Sequence, residues 1–453
     1  MEAEFTASRG GSVERLSSSA ARSLEFLFLC FLFVSQIYYG YRYIFKYDST
    51  GTSPTYANTP FAFKAAKYGI AAIFISLSVL SVTYHQGKTR AINKPNLYFL
   101  IWVSGFVAYC AALGMTFLQG AHALDRDLVF RGFFFFPLLM FLPFHFHGWK
   151  SSRSYFKLVI QFGCIYNVLY SFIQILAYKL YGRLPALGYP HGLVRFGGGW
   201  DDPNAFAAFL VLPILFLVSD AFSSGSRRLI QIVILLMLLA ATASLSGVGA
   251  LFLAVGIYAL IRGKWRWVLL CALLVLGLVL NPLTRELLIF AYRAKHASIE
   301  SHLTTMSLAT FLLHSSVPVL LFGQHAGGAA TNESYYVALT QNYGFIGLLW
   351  FSSIIIVTFI NACLKASRFE LCNRYSHAEA FRVLAAFIAA LSLASVGIAY
   401  FYVFPVNLYL WLAIFVVWLT PEAEFRRKLA SNNGTVATLP LSAFENPLCD
   451  DNY

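Results

Sequence analysis

The sequence predicts an all-α integral membrane protein with about twelve transmembrane helices and one large external loop that contains amphipathic helices. Three observations lead to this prediction. Hydrophobic residues make up 58% of the 453 residues and charged residues only 12%, and the mean hydropathy is +0.66. About twelve apolar stretches are long enough to be transmembrane helices, which need roughly 20 residues. Basic residues collect in every second loop between these stretches, which is the positive-inside pattern of membrane proteins.

The predicted spans follow one another between residues 23 and 420, which form one membrane domain. They are 23–43, 63–84, 97–117, 128–146, 156–178, 204–222, 229–245, 247–262, 266–281, 336–363, 382–402 and 405–420. The pair 229–245 and 247–262 is predicted to be a tight helical hairpin broken near Ser244. Residues 1–22 are rich in Ser and Arg, and residues 421–453 are polar. We expect both segments to be disordered and cytoplasmic.

The formal net charge of +13 is distributed as short basic clusters in alternate loops. This distribution argues against a nucleic-acid partner and places both termini in the cytoplasm. The 7 cysteines fall in predicted spans or on the cytoplasmic side, so no structural disulfide is expected. No Cys/His pair has the spacing of zinc ligands. The first apolar run is long enough to span and lacks a small-residue cleavage site, so no cleavable signal peptide is predicted.

Two external loops, 179–203 and 281–335, contain most of the unusual polar residues. In the second loop, apolar residues alternate with charged ones around Leu287 and Phe290, which indicates an amphipathic helix on the membrane surface. The stretch 303–321 is apolar enough to mimic a span. A span there would invert the sidedness of the later basic loops, so we interpret it as a re-entrant or surface-packed helix.

The first external loop ends in a motif with several chemical possibilities. Asp202 and Pro203 are a strong helix start, because aspartate accepts from free N–H groups and proline fits the first helical position. Glycines 197–199 let the backbone pass close to a ligand or to another segment. Arg195 either binds a phosphate oxygen beside a helix N-terminus or is a snorkelling anchor. The residues alone leave both alternatives open.

The second external loop ends at Glu333, just before an apolar span that contains Gly344. A carboxylate at a helix start is usually a cap or a partner of the helix dipole. A carboxylate held at a membrane surface is also a candidate general base. Glu333 taken alone does not decide between these roles.

Together these segments resemble the O-antigen ligase and polymerase family of bacterial membrane glycosyltransferases. Residues 195–207, Arg-Phe-Gly-Gly-Gly-Trp-Asp-Asp-Pro-Asn-Ala-Phe-Ala, resemble the family's arginine, glycine and Pro-Asn element ahead of a span. Residues 244–251, Ser-Leu-Ser-Gly-Val-Gly-Ala-Leu, resemble its Ser-rich break before an apolar run. Residues 333–349 resemble its final element. The order of the motifs, the twelve predicted spans and the late external loop all agree with the family.

The resemblance implies a glycosyltransferase that uses a saccharide linked to polyprenyl diphosphate on the external face of the bacterial inner membrane. Departure of the lipid diphosphate builds negative charge, which arginines can stabilise. The implied catalytic residues are Arg195, as the diphosphate ligand, and Glu333, as the base for the acceptor hydroxyl. The implied ligands of the diphosphate or sugar are Arg285, Arg293, Asp201 and Asn204. His302, His314 and His325 are weaker alternatives to Glu333.

Neither a cofactor nor a metal is expected, because the chain has no Gly-rich mononucleotide loop and no metal motif, and the resemblance is to metal-independent transferases. The implied partners are the lipid-linked saccharide, the bilayer and other polysaccharide assembly proteins. Family ligases typically carry His where this chain has Glu333, which favours a polymerase. An O-antigen ligase or protein O-oligosaccharyltransferase is the first alternative. A polysaccharide or small-molecule transporter or flippase is the second, but such proteins usually hold ionisable residues at mid-membrane and show repeated halves.

Overall fold

The computed structural model describes residues 152–181, 195–200, 203–219, 227–266, 315–323, 334–371, 373–397, 400–401 and 406–419, with a few isolated positions elsewhere. These ranges contain the helices α1 (Ser152–Tyr181), α2 (Pro203–Val218), α3 (Arg227–Ala241), α4 (Leu245–Ile261), α5 (Val317–Phe322), α6 (Tyr335–Leu371), α7 (Tyr375–Ala394) and α8 (Val406–Leu419). No strand occurs among the described residues, so this part of the chain is all-α, as predicted. The predicted termini, 1–22 and 421–453, lie outside it.

Helix α2 lies at the centre of the described bundle. Its sequence is apolar on every side, which is typical of a helix with no water-facing surface. The side chains of Phe206, Leu212 and Phe216 are at most 1% exposed. Helices α1, α3, α4, α7 and α8 pack around it. Since α2 begins at Pro203, the predicted helix start, the motif 195–204 leads directly into the central helix.

The break between α3 and α4 lies where the sequence placed it, but the two helices pack against α2 and only slightly against each other, so the hairpin is not tight. The turn consists of Thr242, Ala243 and Ser244, and Ala243 has a positive φ of 47°. Ser244 is the N-cap of α4, and its Oγ accepts a hydrogen bond of 3.1 Å from the backbone N–H of Gly247. The polar residue that caps α4 also interrupts the apolar run, so the break can be recognised in the sequence.

Helix α6 bends sharply, which corrects the prediction of one span over 336–363. Gly344 has φ 66° and ψ −169°, outside the helical range. The ring centroids of Tyr335 and Phe351 are 4.8 Å apart, whereas a straight helix would separate residues at these positions by roughly 24 Å. Segment 335–343 therefore returns to contact the helix that continues to Leu371. Both sides of the bend are apolar, so hydropathy did not reveal it.

The short helix α5 packs against this bend. A Cβ at Gly344 would overlap the backbone of Leu321 and Phe322, so the two segments meet backbone to backbone. Helix α5 belongs to the stretch 303–321, which was interpreted as re-entrant or surface-packed. Residues 303–314 of that stretch lie outside the described residues, so its re-entrant or surface-packed character stays a prediction.

Helix α7 begins and ends earlier than the predicted span 382–402. It starts at Tyr375, because the charged residues of its first turns are paired inside the bundle instead of lying in a loop. Glu379 accepts hydrogen bonds from Arg382 Nη1, at 2.7 Å, and from the Tyr258 hydroxyl. Arg262 Nε lies 3.1 Å from the same carboxylate. These contacts tie the end of α4 to the start of α7.

Several basic residues gather at one end of the described bundle. Ion pairing at Glu379 brings the end of α4 to the start of α7, so the opposite ends of these helices, at Ser244 and Ser395, share the other end of the bundle. The basic residues Arg227, Arg228, Arg262, Lys264, Arg368 and Arg374 flank the helix ends on the Glu379 side. Glu370 and Glu379 lie at the same end, and most of the loops at the other end are outside the described residues, so the sidedness of the basic residues stays a prediction.

Three described helices are long and apolar enough to cross a membrane, over Val159–Leu176, Tyr343–Leu371 and Tyr375–Ala394. Shorter apolar helices are Pro203–Val218, Arg228–Ala241, Leu245–Ile261 and Val406–Trp418. On α1, Ile165, Leu169 and Phe172 are at least 60% exposed. Large apolar side chains exposed along a helix of this length are typical of a lipid-facing surface. The described part therefore has membrane character, while the total of about twelve spans stays a prediction.

Candidate functional site

Arg195 lies buried at the junction of three segments. Its side chain is 1% exposed. Its Nε donates to the carbonyl oxygen of Thr242 at 2.7 Å, and its Nη2 donates to Oδ1 of Asn204 at 2.7 Å. A snorkelling side chain extends its charge to the headgroups, whereas this guanidinium is bonded inside the protein. Arg195 thereby joins its own loop, the first turn of α2 and the α3–α4 turn.

Oδ1 of Asn204 accepts from a second donor. The hydroxyl of Ser244 donates to it at 2.8 Å, while the same hydroxyl oxygen caps α4. A carbonyl-type oxygen has two lone pairs, so one amide connects the arginine to the helix cap. These four residues are called the arginine cluster: Arg195, Asn204, Thr242 and Ser244.

Two helices begin at the arginine cluster. Helix α2 starts at Pro203 and helix α4 starts at Leu245. The unpaired N–H groups of a first helical turn carry partial positive charge, and anions are favoured there. The cluster therefore combines a guanidinium with two positive helix ends, an arrangement that suits an anionic group.

Two of the three glycines of the loop, Gly198 and Gly199, pack closely against α1. Gly198 has φ 58°, and a Cβ there would lie 3.0 Å from Oδ1 of Asn167. A Cβ at Gly199 would overlap the ring of Tyr166. The backbone N–H of Gly199 donates to Oδ1 of Asn167 at 3.0 Å. Of the two roles that the sequence left open for these glycines, close approach to another segment is the one seen here.

Trp200 anchors the end of the same loop. Its side chain is 1% exposed, and its ring lies 5.0 Å from that of Phe209 and 6.1 Å from that of Tyr409. At the other end of the loop, the backbone N–H of Phe196 donates to the carbonyl of Ala241 at 3.1 Å. The loop is thus attached to α2, α8 and the end of α3, which holds Arg195 in place.

Gly247 allows α2 and α4 to approach each other beside the arginine cluster. A Cβ at this position would overlap the side chain of Ala207. Small residues at a helix crossing let two backbones come close in an apolar environment. This contact explains in physical terms why the Ser-rich break is followed by glycine.

The third segment of the family resemblance enters at the same end of the bundle. The backbone N–H of Tyr335 donates to the carbonyl of Ser395 at 3.0 Å, and the hydroxyl of Tyr336 donates to the carbonyl of Ser392 at 2.8 Å. Ser395 follows the end of α7 that lies on the same side as the arginine cluster. The chain thus enters α6 on that side at Ser334, the residue after Glu333 in the sequence.

Of the predicted site residues, the structure brings together Arg195 and Asn204. The others lie outside the described residues: Asp201, Arg285, Arg293 and Glu333, with the alternatives His302, His314 and His325. Their roles stay predictions. The predicted cap Asp202 also lies outside, although α2 begins at Pro203 as that prediction requires.

Sequence reasoning assigned no role to three residues that complete this region. Thr242 acts through its backbone carbonyl, for which a sequence carries no signal. Ser244 was noted only as part of a break, and its capping position was the available signal. Asn167 carries an amide within an apolar span, and burying an amide there is unfavourable unless it has a hydrogen-bond partner. A polar residue at such a position was the signal that could have identified it.

Among the described residues, no group of three or more His, Cys, Asp or Glu could hold a metal ion. No protein-family model matches this chain, and no curated protein matches it either. The resemblance to O-antigen ligases and polymerases therefore remains a prediction from the motifs.

Replacing Ser244 with alanine is expected to destabilise the protein by about 1–2 kcal/mol, because it removes the cap of α4 and one donor to Asn204. Thermal unfolding of the purified protein in detergent measures this change. Ser353→Ala is the matched control, since its hydroxyl is exposed and bonds only the carbonyl of Leu349 in its own helix. Equal unfolding temperatures for the two variants would contradict a structural role for the Ser244 cap.

Proposed function

We propose that this chain is a membrane glycosyltransferase that polymerises saccharides linked to polyprenyl diphosphate, on the external face of the bacterial inner membrane. The observation that carries the proposal is the arginine cluster, in which a buried guanidinium joins two of the three segments that resemble the family. The proposed topology has about twelve spans with both termini in the cytoplasm. The basic residues at the opposite end of the described bundle support this orientation.

In the proposed reaction, a hydroxyl oxygen of the acceptor saccharide attacks the anomeric carbon of the donor glycan. The new glycosidic bond forms as the bond from the anomeric carbon to the diphosphate oxygen breaks. Glu333 receives the hydroxyl proton as general base, and the lipid diphosphate departs with the bonding electron pair. Arg195, assisted by the positive ends of α2 and α4, stabilises the developing charge.

The remaining predicted residues take supporting roles in this proposal. Arg285 and Arg293 are eight positions apart, about two turns of helix, so they would share one face of an amphipathic helix. That face would meet the diphosphate from the external loop. Asp201 would bind sugar hydroxyls, and Asn204 would orient Arg195 through the hydrogen bond described above. No cofactor or metal takes part in this scheme.

Glu333→Gln is expected to abolish polymerisation, because the amide cannot take the proton from the acceptor hydroxyl. The test is complementation of a deletion strain, with surface polysaccharide and extracted lipid-linked saccharides separated on gels. We expect the deletion and Glu333→Gln to lose the long ladder and accumulate single repeat units. Glu286→Gln is the matched control, since this carboxylate belongs to the same external loop and is exposed; it should restore the ladder.

Other outcomes of the same gel identify the alternative functions. Long chains left on the lipid carrier, with none on the final acceptor, would mean a ligase. An unchanged profile in the deletion strain would overturn the transferase and favour a transporter. Purified protein that extends lipid-linked saccharide without a proton or sodium gradient would separate the transferase from a coupled transporter.

A further inference from the structure

Helix α1 has a polar face inside an apolar bundle. Asn167, Ser171 and Gln174 follow one another at intervals of four and three residues, which places them on one side of a helix. They are 0%, 0% and 2% exposed. The opposite side of the same helix carries the exposed apolar residues Ile165 and Leu169. Three uncharged polar side chains therefore point into the protein from a helix whose other side is suited to lipid.

Two of these side chains have polar atoms without a partner. Both ends of the Asn167 amide are bonded, since its nitrogen donates to the carbonyl of Gly163 and its oxygen accepts from the N–H of Gly199. Neither Ser171 Oγ nor Gln174 Oε1 has a hydrogen-bond partner in the described part of the chain. Buried polar groups are nearly always paired with protein, water or ligand. Two unpaired groups on successive turns of one helix therefore require an explanation.

Ser171 differs from most of the described serines and threonines that lie within helices. Serine and threonine in a helix commonly bond the carbonyl four residues earlier, and here the residues that do so include Thr340, Ser353, Thr358, Ser367, Ser392 and Ser395. The corresponding bond is absent at Ser171. Its buried hydroxyl therefore makes no hydrogen bond within its own helix.

The polar face begins where α1 contacts the loop of the candidate site. Asn167 bonds Gly199 of that loop. Because a helix rises 1.5 Å per residue, Ser171 and Gln174 lie roughly 6 and 10 Å beyond Asn167, toward the end of α1 at Tyr181. Ser171 and Gln174 thus lie one and two helical turns from the point where α1 contacts the glycine loop that leads into α2.

The chemistry of this face suits a neutral ligand rich in hydroxyl groups. The Gln174 oxygen only accepts hydrogen bonds, whereas the Ser171 hydroxyl both donates and accepts, so hydroxyls of a ligand can satisfy both. On the same helix, the rings of Tyr166 and Tyr170 stack with centroids 5.9 Å apart, and Tyr170 is about one helical turn from Gln174. A phosphate would need cationic donors, and a hard cation needs six or more oxygen ligands.

We propose that Asn167, Ser171 and Gln174 of α1 form a binding site for the saccharide portion of the substrate, separate from the arginine cluster that would bind its diphosphate. This inference rests on the proposed function. Asn167 has a positioning role, because it holds the glycine loop against α1, while Ser171 and Gln174 contact the sugar hydroxyls. A bound sugar would give both unpaired polar groups a hydrogen-bond partner. Without such a ligand, apolar side chains of the same size could replace Ser171 and Gln174 with no loss of stability.

The test uses the double variant Ser171→Ala/Gln174→Met, which removes both polar groups and keeps the side-chain volumes close to the originals. Replacing unpaired buried groups should leave the unfolding temperature unchanged or raise it. The control variant is Gln231→Met/Ser353→Ala, with the same exchanges at exposed positions. Gln174→Met alone serves the same comparison if the double variant does not accumulate.

Three probes are bound to each purified protein in detergent. They are the free oligosaccharide released from the source bacterium's surface polysaccharide, the same oligosaccharide on polyprenyl diphosphate, and sugar-free polyprenyl diphosphate. We expect the double variant to bind both sugar-bearing probes about tenfold more weakly than wild type and control. Its affinity for the sugar-free lipid should not change.

The outcomes separate this inference from the proposed function. A double variant that binds all three probes like wild type would overturn the saccharide site and leave the transferase standing. A wild-type protein that binds neither lipid probe would overturn the proposed function, and the free oligosaccharide alone would then decide the role of the polar face. A wild-type protein that binds none of the probes overturns both.

Discussion

Arg195→Ala is expected to lower activity about a hundredfold or more, if the guanidinium stabilises the departing diphosphate as proposed. The same change is expected to destabilise the protein by about 3 kcal/mol. The carbonyl of Thr242 loses its charged donor, which costs about 1–3 kcal/mol for a buried acceptor, and a cavity remains where a 1% exposed side chain was. Asn204 keeps the hydroxyl of Ser244 as a donor, which limits the loss.

Two comparisons separate the structural effect of Arg195 from its catalytic effect. Arg228→Ala is the matched control for stability, because Arg228 also donates to a backbone carbonyl, that of Val218 at 2.7 Å, but is only partly buried. It should change stability by less than about 0.5 kcal/mol. Arg195→Lys keeps the charge but lacks the planar fork, so it should recover part of the activity. Full polymer length in Arg195→Ala, at normal protein levels, would contradict the proposed role.

Gly344→Ala is expected to prevent normal folding of the bend in α6, with a loss of at least about 3 kcal/mol. The conformation of Gly344, φ 66° and ψ −169°, lies in a region that is essentially restricted to glycine. The added Cβ would also overlap the backbone of Leu321 and Phe322, which cannot move aside as a flexible side chain can. Helix α5 must then leave the bend, or the bend must open.

The measurement for Gly344→Ala is the yield of monodisperse protein and its unfolding temperature in detergent. Gly256→Ala is the matched control, because this glycine lies inside α4 with no atom within 4 Å of an added Cβ. Alanine there should stabilise the helix by about 0.5–1 kcal/mol. If Gly344→Ala unfolded at the wild-type temperature, the close contact between α5 and the bend would be wrong.

Local signals in the sequence predicted several elements correctly. Pro203 marked the start of α2, since proline suits the first helical position. The break between α3 and α4 was found because Ser244 and the residues after it interrupt an apolar run. Both features depend on a few neighbouring residues, so a single sequence contains all the information that they need.

Contacts between distant residues account for the errors. The bend at Gly344 depends on backbone contact with Leu321, and the early start of α7 depends on pairing of Glu379 with Arg262 of another helix. A prediction from hydropathy takes an apolar segment with a bend for one straight span. It also places charged residues in a loop, even where they form ion pairs inside the bundle. Neither long-range contact leaves a trace in local composition.

The sequence by itself determined the helical class and the membrane character of the described part, because both follow from composition and from the free energy of moving side chains between water and lipid. The sidedness of the basic residues stays a prediction. Only the tertiary structure decided how the candidate site is held. Arg195 is bonded to a carbonyl of Thr242 and an amide of Asn204, and Gly199 is bonded to Asn167 on another helix. These partners are selected by three-dimensional proximity in a closely packed interior, where buried polar groups must pair with whatever lies beside them.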